Sequence, residues 1–62
     1  ITMNDLQKDT ALAFKLRLDS LAEIGTIEEM DAVIAMAADV AAMITKHDPS
    51  FSYKEFFEAI EI

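Results

Sequence analysis

The chain has no cysteine and no tryptophan, and among its 62 residues there is one glycine, one proline and one histidine. Disulfides are therefore excluded, and a zinc site of the usual Cys/His kind lacks its ligands. The chain is also too apolar to be a disordered tail. Basic residues are scarce: five Lys and Arg stand against twelve Asp and Glu, a formal net charge of −7. A surface so acidic repels a phosphate backbone and an anionic bilayer, which argues against direct nucleic-acid or membrane binding. Long hydrophobic runs are absent too. The longest, Ala32 to Ala38, has seven residues, far short of the roughly 20 that span a bilayer. No basic start with an apolar stretch and a cleavage site appears, so the expected compartment is the cytoplasm, which the lack of cysteine suits. The first residue is Ile1 rather than Met, so the expectation is a trimmed terminus or a missing preceding segment that could hold part of the fold.

What is present is apolar surface, 53% of the residues, enough for a folded domain but only one. A single core of this size barely offsets the conformational entropy of ordering the chain. Packing between helices, self-association or a larger partner must supply the rest. No repeat or low-complexity stretch is visible.

Three helices are expected, in one domain spanning residues 1–62. The first runs from about residue 4 to 24, with Asn4 and Gln7 placed as a capping box and Gly25 closing it as a left-handed residue. Leu6, Phe14, Leu18 and Leu21 recur near helical spacing, and Leu12 and Leu16 widen the apolar face. Phe14, Leu16 and Leu18 also alternate with Lys15 and Arg17 as a strand would, but the Ala-rich flanks and the lack of turn residues before Gly25 favour a helix. The second runs from 27 to about 46 behind a Thr26/Glu29 capping box. Ile27, Met30, Val33, Ile34, Ala37, Val40, Ala41 and Ile44 follow at intervals of three or four. Glu28, Glu29 and Asp31 near its start and Lys46 at its end suit the helix dipole. The third, 53 to 60, follows the break at Pro49. Ser52 and Glu55 are placed as a capping box, and Phe51 and Phe56 as a hydrophobic staple. The expected fold is all-α: a small helical bundle of two long helices and one short C-terminal helix, completed by oligomerisation.

The candidate chemistry is thin. His47 beside Asp48 has the residue types of a base and its orienting acid, but neighbours at a helix end do not aim at one reacting atom. A calcium loop ending at Glu55 would need ligands and a glycine where Ile44, Lys46 and Pro49 stand. Glu28, Glu29 and Asp31, joined by Glu23 or Asp19 across Gly25, have the residue types for a hard cation, but oxygen ligands must converge from several directions, which adjacent helical residues do not do. The expectation is no enzyme, no cofactor and no metal site. The apolar surface is the informative feature: Met30, Met36 and Met43 with many alanines permit close, adaptable packing. Val33, Met36, Val40, Met43, Phe56 and Phe57 are the expected partner interface, toward another protein or a second copy of the chain. An alternative function comes from the acids near the segment ends, Asp5, Asp9, Glu23, Glu28, Glu29, Glu58 and Glu61. An acidic inhibitor could use them to occupy a basic site on a nucleic-acid enzyme.

The order of segments carries a resemblance. Thr2-Met3-Asn4-Asp5-Leu6 opens a capped helix, Thr26-Ile27-Glu28-Glu29 leads an Ala-rich helix, and Phe51-Ser52-Tyr53-Lys54-Glu55-Phe56-Phe57 follows Lys46 by a short loop. The pattern resembles the small tail assembly chaperones of long-tailed bacteriophages. The resemblance implies a helical, often oligomeric protein that binds the aggregation-prone tape measure protein and helps the tail tube form.

Overall fold

Each helix starts where a side chain can take up the amides that a first turn leaves free. The computed structural model describes residues 3–62. Ile1 and Thr2, the latter the first residue of the resemblance above, lie outside them. Helix α1 spans Asp5–Ile24. The Gln7 amide donates to Asn4 Oδ1 at 2.8 Å and the Asn4 amide to Gln7 Oε1 at 3.1 Å, so the expected capping box is present. Helix α2 spans Ile27–His47. Its capping box also closes, with Glu29 N to Thr26 Oγ1 at 3.1 Å and Thr26 N to Glu29 Oε1 at 2.9 Å. Helix α3 spans Tyr53–Ile60. There only half of the expected box forms: Ser52 Oγ accepts from Glu55 N at 3.2 Å, while the exposed Glu55 side chain does not reach back. The staple does form, with the Phe51 and Phe56 rings 5.3 Å apart at 63°. No strand occurs among the described residues, so Phe14 to Leu18 is helix.

Gly25 departs from expectation. Its φ of −108° and ψ of −170° are extended, not left-handed. Thr26 is extended too, at φ −110° and ψ 164°. Two extended residues therefore make the turn between α1 and α2. Glycine is required there by proximity: a Cβ at Gly25 would lie 2.9 Å from the Leu21 carbonyl oxygen and 3.0 Å from Leu21 Cα. The one left-handed residue described is Glu61, at φ 67°. Its amide donates to Glu58 O at 3.1 Å and the Ile62 amide to Phe57 O at 3.2 Å, the double clasp of a Schellman ending. Replacing Glu61 with Gly is expected to raise the melting temperature, because about 1 kcal/mol of left-handed strain is relieved at the expense of one exposed ion pair. A thermal scan followed by circular dichroism would read the change. A lower melting temperature would mean that the pair to Lys15 outweighs the strain.

The tertiary arrangement follows from four contacts. Gln7 near the start of α1 bonds Asp48 just past the end of α2, so the two long helices are antiparallel. Phe14 meets Phe56 edge to face at 6.3 Å, and Lys15 pairs with Glu61 at 3.0 Å. Met3 and Gln7 share a small hollow with Phe51 and Ser52. Helix α3 therefore runs beside the first half of α1, in the same direction, and α1 lies between α2 and α3.

Small residues let the long helices approach closely: Ala11, Ala37 and Ala41 are wholly buried. Leu18, Phe51, Phe56 and Ile60 complete the core. Phe56, assigned from the sequence to the partner surface, is instead, among the described residues, the one large side chain in it with no exposure. The reason is geometric, since a helix of eight residues can dock only by burying the centre of its apolar face. Leu12 and Leu16, 48% and 58% exposed, face away from that core. The molecule measures 35 × 17 × 15 Å.

Candidate partner groove

Because α3 packs on α1, one side of the α1/α2 pair is left open. Two adjoining hollows of about 660 and 460 Å³ run along it, sharing Thr10 and Val40. The α2 wall is the one expected from the sequence. Val33, Met36 and Val40 line the first hollow, and Val40 and Met43 the second. Met36 is 60% exposed and Met43 58%. Val33 and Val40 are half-buried, lying partly against the core. Phe57 is half-buried as well but belongs to the α3 side, where its ring stacks on Tyr53 at 6.3 Å. The expected interface thus divides: four residues lie together along one groove, Phe57 lies elsewhere, and Phe56 is interior.

The opposite wall comes from α1 and was not read from the sequence. Leu6, Thr10, Ala13 and Arg17 supply it, with Phe14 at its base. A signal was available in the spacing, because Leu6 and Ala13, and likewise Thr10 and Arg17, are seven apart and so share a stripe. Thr10 obscured it by being polar. Its hydroxyl donates to Leu6 O at 2.7 Å, so its hydrogen is satisfied within the helix and Thr10 adds no unmet donor to the wall.

Asp9 and Arg17, of opposite charge, edge one hollow, and His47 and Asp48 the other. His47 and Asp48 do not act as a pair. The Asp48 carboxylate accepts from Ser50 Oγ at 2.6 Å and from Gln7 Nε2 at 3.0 Å, while His47 is exposed at the last position of α2. Gln7 is the one buried polar side chain among the described residues, 7% exposed, and all its hydrogen bonds point to the two ends it joins. The Ser50 hydroxyl first, then the Gln7 amide, hold the Asp48 carboxyl below its ordinary 3.8, against the opposing effect of partial burial.

A carboxyl lowered in the folded state adds stability above its unfolded value and loses it as pH falls through the folded one. Asp48→Asn is therefore expected to melt lower than the parent at about neutral pH. The gap should close below pH 3.8. Melting curves at several pH values test this, and a gap independent of pH would assign the effect to shape rather than charge.

At the far side of α1, hydrogen bonds to Asp19 and then Glu61 raise the Lys15 amine above its ordinary value, tying α1 to the end of α3. No group of three or more His, Asp and Glu among the described residues is placed to hold a metal ion. No helix among them is long and apolar enough to cross a membrane. The chain matches no family model, no curated protein sequence and no solved structure.

Proposed function

We propose that this chain is a non-enzymatic assembly protein that holds an apolar helical segment of another protein in the α1/α2 groove. The observation that carries the reading is the exposure of Met36 and Met43 beside hollows that the chain's own third helix leaves open. Unbranched thioethers adapt to varied surfaces, and a groove between helices takes an amphipathic helix by anchors three or four residues apart. The resemblance of the capped segments at Thr26–Glu29 and Phe51–Phe57 gives the reading its specific form: a tail assembly chaperone of a long-tailed bacteriophage, with the tape measure protein as client, acting in the host cytoplasm. Mixed charge at the groove edges favours this over an acidic inhibitor, which needs carboxylates in rows on one face.

Co-expression with a tape measure protein tests it. Met36→Lys with Met43→Lys should lower the soluble fraction of the client, whereas Leu12→Lys with Leu16→Lys, on exposed positions outside the groove, should leave it unchanged. Equal behaviour of the two variants, both still helical, would remove the groove from the function.

A further inference from the structure

Part of the groove lining is symmetric along the chain. Asp9 and Arg17 line it four residues before and four residues after Ala13. On the other wall, Met36 and Val40 stand two residues either side of Ala38, and Val33 and Met43 five either side. Ala13 and Ala38 are each twelve residues from the turn, counted from Gly25 and Thr26, so in an antiparallel pair of helices they lie at one level. A two-fold axis crossing the hairpin there, perpendicular to the helices, would lay a second copy on the first with every helix reversed. Asp9 of each copy then faces Arg17 of the other, Met36 faces Val40, and Val33 faces Met43. Among the described residues the ion pairs formed are Lys15–Asp19 and Lys15–Glu61, so neither Asp9 nor Arg17 has one within the chain.

We propose that a second copy of this chain closes the groove in the resting state, antiparallel and groove to groove, as a four-helix bundle of two hairpins. The inference rests on the groove being the docking surface, and it makes the self-pair the form that a client must displace. Isologous pairing requires this kind of internal symmetry, since each contact must occur twice with the roles exchanged. An axis parallel to the helices would instead lay α1 of one copy over α2 of the other, where Asp9 would face the apolar second helix rather than Arg17. The apolar rows are also brought together at the spacing of bundle cores.

Charge exchange tests it. Sedimentation equilibrium at about 0.15 M salt should give a dimer for the parent chain. Asp9→Arg sets arginines against each other across the axis, and Arg17→Asp sets aspartates. Each alone should weaken the dimer by about tenfold or more, with helicity retained because both positions are exposed. Mixing the two variants should restore a dimer made of one of each, since every facing pair is then opposite in sign. A parent chain monomeric up to about 1 mM would overturn self-closure and leave the client reading standing. A parent dimer insensitive to either change would place the contact on another surface and overturn the groove assignment here. Weakened variants that fail to rescue one another would overturn the antiparallel register.

Discussion

Phe56→Ala is expected to cost about 3 to 5 kcal/mol, the larger part of what a domain of this length has. At roughly 0.05 to 0.15 kcal/mol per residue, the whole fold holds only a handful of kcal/mol. Phe56 has no exposed surface and sets its ring edge to face against Phe14, Phe51 and Phe57. Truncating it removes the contact that docks α3 and leaves a void between rings that cannot collapse without shifting a helix. The variant should lose much of its helical circular dichroism at room temperature or unfold at markedly lower urea. Phe57→Ala, at a half-buried ring, should cost clearly less. If the two variants were equally stable, α3 would not be anchored through Phe56 and the core would be misassigned.

Gly25→Val is the second large effect, about 1 to 3 kcal/mol of destabilisation from overpacking. The cause distinguishes it from the usual glycine after a helix. At φ −108° any residue is allowed, so the strain comes from the Cβ itself, pressed onto the Leu21 carbonyl oxygen and Cα. Ala should therefore destabilise nearly as much as Val, and Asn no less than Ala. A left-handed glycine would show a different order, with Asn tolerated because its side chain suits that region. Denaturant midpoints of the three variants separate the two accounts, and a well-tolerated Asn would mean that the turn is left-handed.

The elements that were legible are those whose signals are local. Asn4 with Gln7 and Thr26 with Glu29 cap within three residues, and the Phe51–Phe56 staple spans five positions, so helix starts could be placed to within a residue. Gly25 shows the limit. A glycine after a helix serves either a positive φ or a close approach, and one letter does not say which. Phe56 shows another, because periodicity identifies an apolar face without saying whether it meets the same chain or a different one. Four residues of the α2 wall were found since their spacing is unbroken, whereas Thr10, Ala13 and Arg17 conceal the α1 wall behind small or polar side chains. The bond from Gln7 to Asp48 joins residues 41 apart, and no local pattern encodes it.

The placement of α3 on α1 rather than on its neighbour α2 also divides the contacts by their separation along the chain. The α1/α2 hairpin can zip up from the Gly25–Thr26 turn with short loops throughout, at small entropic cost. The contacts of Phe14 with Phe56 and of Lys15 with Glu61 span more than forty residues, as do those that Met3 and Gln7 make around the hollow with Phe51 and Ser52, and together they cover the flank of α1. A hairpin without them would leave uncovered the apolar side chains of α1 that α3 shields, in addition to the groove. Apolar surface exposed in that way favours aggregation, so α3 serves as a cover for α1 as well as a part of the core.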